Sequence, residues 1–227
     1  MVLLVIAVLV GSGCRANEIE VRFLRSENHT FSAGEQRLIR QIAESSTREV
    51  RRLLPALPSQ LELTVRPGGD VMPETGSSAT AMPPLAVMLT IDARREGGVE
   101  LIVRRWLRPV LFHELHHLTR WQRVPATSLV DHAVSEGLAA VFERDFAQSD
   151  TPWAAYGVEV SAWADELLRL PDDSSTQDWI YRHPDGRRWI GMKTGAYWVD
   201  QASAKSGRSS IDLMTLPAAD IIALATK

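Results

Sequence analysis

Leu111-Phe112-His113-Glu114-Leu115-His116-His117-Leu118 is followed, after a short break, by Ser128-Leu129-Val130-Asp131-His132-Ala133-Val134-Ser135-Glu136-Gly137-Leu138-Ala139. The first stretch reads as a helix. Leu107, Leu111, Leu115 and Leu118 recur at i, i+4, i+8 and i+11, which makes one apolar face. At about 100° per residue, His113 and His117 lie about 40° apart on the flank of that face, so one turn brings both imidazoles to the same side. Glu114 falls about 100° from His113 and about 60° from His117, where its carboxylate can reach past the rings toward a water. His116 falls about 60° from His113 on the other side, and is expected behind the pair or in solvent.

The second stretch opens with a helix start. Ser128 is the N-cap and Asp131 stands three positions later. Ala133, Val134, Leu138, Val141 and Phe142 give the helix its buried side, to about Phe146. A connection of about seven residues after Trp121 suits an antiparallel helix pair. Glu136 then lies about two turns into the second helix, opposite the two histidines. Gly137 and Ala140 are small and are expected to let this helix approach the first one closely. A catalytic zinc takes three protein ligands and keeps a fourth position open. His113, His117 and Glu136 supply that number with the right donors. His132 and Asp131 compete for the place of third ligand, and His132, one turn from Glu136, could instead orient a ligand by hydrogen bonding.

Around these helices the chain reads as strands first and helices afterwards, an α+β pattern. Glu18 to Leu24 alternates as a short strand. Ser32-Ala33-Gly34-Glu35 is a capping box, and a long amphipathic helix follows to about Leu54, stopped by Pro55 and Pro58. Leu61 to Val65 alternates as a strand. Residues 66 to 84 hold four prolines and three glycines and read as a loop, either a lid or plain surface. Leu85 to Ile91 is an apolar run of strand length. Val99 to Val103 fits either a further strand or the approach to the next helix. From about Arg105 onward the pattern is mostly helical.

Composition narrows the function classes. The 227 residues are 45% hydrophobic and 23% charged, ordinary for a globular chain. A net charge of −3 gives no basic footprint, so no nucleic-acid partner is expected. The one cysteine, Cys14, excludes an internal disulfide and leaves no thiol for a metal site in the body of the chain.

Residues 1–16 read as a targeting segment ahead of one metallohydrolase domain over 17–227. Val2 to Val10 is uninterrupted aliphatics and alanine, too short to span a bilayer but suited to a signal-peptide core. Gly11-Ser12-Gly13-Cys14 resembles the cleavage site of a bacterial lipoprotein, with Cys14 lipidated. Gly11 stands where such signals usually carry leucine, and no lysine or arginine precedes the apolar run. Ordinary secretion and an uncleaved anchor are the alternatives. Each places the mature protein outside the cytoplasm, in the periplasm or cell envelope, with membrane attachment through Cys14 under the first. A single acyl chain binds a membrane only weakly by itself.

His113-Glu114-x-x-His117 with Glu136 on the following helix resembles the gluzincin arrangement of zinc metallopeptidases. More narrowly, the chain resembles a bacterial family of predicted zinc-dependent proteases catalogued as a domain of unknown function. The marks are the histidine helix, the Ser128 to Ala139 segment, and a tail with Trp189-Ile-Gly-Met-Lys-Thr-Gly-Ala-Tyr-Trp-Val199 and a Pro217-Ala-Ala-Asp-Ile-Ile helix. The likeness covers roughly residues 85 to 225. It implies a zincin-like helical half, a Zn2+ cofactor and a peptide or protein substrate. It also implies that an extended peptide pairs along an edge strand, for which Leu85 to Ile91 is the candidate.

The chemistry expected of such a site is hydrolysis. Zinc would lower the pKa of a water from about 15.7 toward about 7. Glu114 would accept the proton and hand it to the leaving amine. Tyr197, His183, Tyr181 and Arg187 are candidates for the donor to the developing oxyanion, Tyr197 foremost and His183 next. Trp153, Trp163, Trp179, Trp189 and Trp198 read as core or rim aromatics. Three classes stay open: a metallopeptidase, a zinc hydrolase of non-protein amides or esters in the envelope, and a non-catalytic module stabilised by its metal. Glu114 separates the last from the others, because a structural site has no use for it.

Overall fold

The computed structural model describes residues 19–171 and 174–227; the stretch 1–16 expected to be a targeting segment, Cys14 included, lies outside them. The chain opens with β1 (Glu20–Phe23), α1 (Ala33–Leu53), β2 (Glu62–Pro67), β3 (Ser77–Met82) and β4 (Ala86–Ile91). The four strands form one sheet in the order β1-β2-β4-β3. β1, β2 and β4 are parallel, and β3 lies antiparallel to β4 with Ser77 opposite Ile91 and Met82 opposite Ala86. Then come α2 (Gly98–Trp121), α3 (Leu129–Ala147), α4 (Val160–Leu167), α5 (Thr176–Ile180), α6 (Ile190–Ser206), α7 (Ser210–Leu213) and α8 (Ala218–Thr226). The architecture is α+β: a small sheet with one long helix, then a helical half.

Local chemistry sets most boundaries. α1 begins at the capping box, where Ser32 accepts from the Glu35 amide and Glu35 accepts from the Ser32 amide. It buries Ile39, Ala43 and Val50. α2 starts behind Gly97, whose φ of 83° suits glycine because it has no Cβ. Val99, Ile102 and Val103 are buried in the first turns of α2, so Val99 to Val103 belongs to the helix and not to a strand.

Two further expectations are corrected in the sheet. The stretch 66–84 is not a plain loop, since it contains β3. Leu85 to Ile91 is not an edge strand either. β4 pairs with β2 on one side and β3 on the other, and Val87, Leu89, Thr90 and Ile91 are buried. Its apolar run reflects that central place. β3, Ser-Ser-Ala-Thr-Ala-Met, is the edge. An edge strand pairs on one side only and needs little apolar area, so its sequence carries a weak strand signal.

α3 folds back antiparallel on α2. The Phe112 and Phe142 rings stack at 5.7 Å near one end, and Ser135 reaches His117 at the other. Fully burying two such rings is worth about 1.5–3 kcal/mol each. Gly137 serves a different contact from the one expected. It faces α6, not α2: a Cβ at Gly137 would overlap the backbone of Gly195, and one at Gly195 would overlap the carbonyl of Ala133. The two glycines let α3 and α6 touch backbone to backbone. At its far end α2 is tied to the C-terminal segment, because buried Arg120 donates to the carbonyls of Met214 and Leu216. Among the described residues, no helix is long and apolar enough to cross a membrane.

Candidate metal centre

Adjacent turns of α2 present two imidazoles to one point. The rings of His113 and His117 lie 4.8 Å apart, and their Nε2 atoms are separated by 3.1 Å. Glu136 Oε2, from α3, stands 3.1 Å from the first nitrogen and 3.5 Å from the second. Lone pairs held this close need a proton or a cation between them. A tetrahedral zinc with bonds of about 2.0–2.1 Å spreads its donors about 3.3–3.4 Å apart, which this triangle brackets. His113, His117 and Glu136 could therefore hold a metal ion, and the two-nitrogen, one-oxygen set suits zinc.

The outer nitrogen of each ring has its own partner. Ser135 Oγ is 3.3 Å from His117 Nδ1. Glu143 Oε2 is 3.1 Å from His113 Nδ1. Glu143 is 1% exposed and accepts from Ser149 Oγ at 2.6 Å, Thr151 Oγ1 at 3.0 Å and Trp153 Nε1 at 3.1 Å. A carboxylate held among three donors is an acceptor, so His113 keeps its Nδ1 proton, and Nε2, which faces Glu136, is the nitrogen that would exchange its proton for a cation. Glu143 escaped the sequence reading. It follows Glu136 by seven residues, two turns along the same helix face, and an acid on an otherwise apolar side was the available signal.

Glu114 is 8% exposed. Burial pushes its carboxyl above the ordinary range, although His113 and His117 pull the other way. The amide of Ala81, on β3, faces this carboxylate. Glu136 sits well below its ordinary pKa: burial opposes the charge, but His117 and His113 outweigh it. For His113, burial is outweighed by Glu136 and Glu143, which hold its imidazolium well above the usual range. All three carboxylates line one cleft of about 340 Å³, and among the described residues that lining includes no lysine or arginine. Buried negative charge without a fixed cation favours a bound one.

The cleft runs between α2, α3 and the free edge of β3. Ser77, Ala79 and Ala81 line it from the strand, and Tyr181, Trp153 and Met192 close its floor. Tyr181 follows α5 and donates from Oη to Glu136 Oε1 at 3.3 Å. The charge of Glu136, helped by burial, raises this phenol far above its usual value, so it stays protonated.

Other candidates fall elsewhere. Tyr197 packs edge-on against Tyr156 with centroids 5.6 Å apart and does not line the cleft. His183 lies over Trp179 at 4.4 Å, with Nδ1 2.9 Å from Asp185. Arg187 is engaged by Glu166 and Asp185. Of the four donors considered, only Tyr181 reaches the metal-ligand group. His132 lines the cleft but stays outside the triangle, and Asp131 uses its carboxylate to cap α3. His116 is neither exposed nor bonded to a ligand. It is fully buried against Phe142, and neither ring nitrogen has a partner, which forces the neutral form. Trp153, Trp189 and Trp198 are buried, while Trp163 and Trp179 are partly so.

A family model described as "Predicted Zn-dependent protease" matches residues 39–223. No curated protein and no solved structure matches the chain.

Proposed function

Because the chain belongs to the family of predicted Zn-dependent proteases, we propose that it is a zinc metallopeptidase that cleaves peptide bonds with Glu114 as general base. One observation carries this reading: Glu114, the His113–His117–Glu136 triangle and a free strand edge share one cleft. His113 and His117 through Nε2, and Glu136 through Oε2, would hold the metal. Zinc there supplies Lewis acidity, which acidifies water and polarises a carbonyl.

The chain's own groups do the rest. The Glu114 carboxylate takes the proton of the attacking water and returns it to the nitrogen of the departing amine. Its burial suits this role, because a raised pKa makes the carboxylate a better base and its acid a competent donor near neutrality. Tyr181 Oη turns its single O–H from Glu136 Oε1 to the carbonyl oxygen as charge builds there. Its protonated state equips it to give a hydrogen bond, typically worth a few kcal/mol in such a site. Glu143 fixes the His113 ring. The outward amide edge of β3 pairs with the substrate backbone and stretches it across the cleft. That edge favours a peptide over other amides and esters.

The reading extends to location. The apolar run Val2 to Val10 ahead of Cys14 supports a site of action outside the cytoplasm, with Cys14 as a lipid anchor. The test is direct. Purified protein, reconstituted with zinc, is offered a peptide library and a panel of cell-wall amides, with and without chelator. Peptide cleavage that chelator stops and Glu114→Gln abolishes is the expected result. Cleavage of cell-wall amides alone, or turnover that survives Glu114→Gln, would defeat it.

A further inference from the structure

The two ends of the cleft differ in chemistry. At one end Thr75, Ser77 and Ser78 are small and polar. At the other, Trp121, Ala126 and Pro83 line the wall. Trp121 stands one turn beyond His117 on α2 and is 45% exposed. Of the seven tryptophans, all among the described residues, Trp121 is the only exposed one, and it stands beside the candidate ligands; Trp153, Trp189 and Trp198 are buried.

Strand direction tells which part of a substrate meets that end. Gly76 lies beside Ile102, and Ala81 lies beside Glu114. β3 therefore runs the same way as α2, from the polar end toward Trp121. The Ala81 amide faces the cleft, so by the two-residue period of a strand Ala79 presents its own to the same side, while the next position back, Ser77, is already paired with Met72 and Thr75 and marks where the open edge ends. An extended segment pairs more stably with that edge when antiparallel. Its N-terminal part then lies toward Pro83 and Trp121, and its C-terminal part toward Ser77.

We propose that Trp121, with Ala126, forms an apolar subsite that selects substrates carrying a large aliphatic or aromatic side chain just N-terminal to the cleaved bond. This rests on the metallopeptidase reading. Trp121 offers a flat face that such a side chain covers, and the gain is available only to the residue stretched toward that end.

The test uses zinc-loaded full-length protein and peptides in which single positions on either side of the bond are varied. Wild type prefers Phe or Leu over Gly on the N-terminal side by about tenfold or more in kcat/KM, as burial of a few methylenes gives. Trp121→Ala brings that preference to within about twofold, and Trp121→Phe restores most of it. Calorimetry with the Glu114→Gln protein shows the same ranking in binding of uncleaved peptides. A preference confined to the C-terminal side would overturn the assigned direction and the subsite with it. Cleavage with a ranking unchanged in Trp121→Ala would overturn the subsite and leave the peptidase reading standing. Stoichiometric zinc with no peptide cleaved would defeat the peptidase reading itself, and the subsite with it.

Discussion

Glu143 Oε2 lies 3.1 Å from His113 Nδ1, on the opposite side of the ring from the Nε2 that meets Glu136 at 3.1 Å. One imidazole thus joins a buried acid to the candidate ligand group, and the acid decides which nitrogen is free.

Removing Glu143 should loosen the metal before anything else. Glu143→Ala is expected to weaken zinc binding about 10–100-fold, the usual cost of losing a ligand's hydrogen-bond partner. A competition titration with a chromophoric chelator reads this. The same variant strands Trp153 Nε1, Ser149 and Thr151, and each buried donor left unmatched costs about 1–3 kcal/mol. Urea unfolding of the metal-free protein should record that loss separately.

Glu114→Gln keeps the shape of the cleft and removes the base. Turnover should fall by about 10²–10⁴-fold, while metal analysis still finds about one zinc per chain. A parallel loss of zinc would move Glu114 into the ligand set.

Chelation should lower thermal stability as well as activity. At a zinc concentration of 100 times its Kd, bound metal adds about 2.7 kcal/mol, and differential scanning calorimetry with and without chelator measures it. Glu136→Ala is expected to show no metal-dependent shift while still folding.

The contact between α3 and α6 depends on glycine. Gly195→Ala forces a methyl into the carbonyl of Ala133, and Gly137→Ala does the same against Gly195. Backbone cannot yield as a side-chain tip can, so a loss of about 1–3 kcal/mol or more is expected in chemical denaturation. Gly34→Ala, where a Cβ would meet only the Ser32 hydroxyl at 3.9 Å, is the control and should stay within about 0.5 kcal/mol.

The capping of α3 gives a pH signature. Burial alone would raise the Asp131 carboxyl, but hydrogen bonds from Ser128 and Thr127 outweigh it and hold its pKa below the ordinary range. A carboxyl depressed in the folded state adds stability above its unfolded pKa of about 3.9, and that contribution disappears as pH falls through the lower folded value. Asp131→Asn should destabilise the protein at pH 7 by about 0.5–2 kcal/mol, with the gap from wild type closing below about pH 4. Unfolding midpoints across pH 3–7 test it.

Much of this was legible because it is local. The helical period alone put His113 and His117 on one side of α2, and the Ser128 and Asp131 pattern set the start of α3 and with it the depth of Glu136. The capping box at Ser32 likewise fixed where α1 begins. Elements with weak or shared signals were harder. β3 lacks apolar alternation because an edge strand buries little, and Val99 to Val103 looks the same in a buried helix as in a strand.

Spacing along the chain therefore determined the two helices that carry the candidate ligands and the residues that could chelate, since one turn of helix is a fixed geometry. What only the tertiary structure decided is everything that depends on which surfaces meet. Tyr181, and not Tyr197, reaches Glu136; Glu143 backs His113; Gly137 serves α6; and the strand edge beside Glu114 belongs to β3. Each joins elements whose relative placement is set by packing and hydrogen-bond satisfaction across the fold, and no local period encodes that.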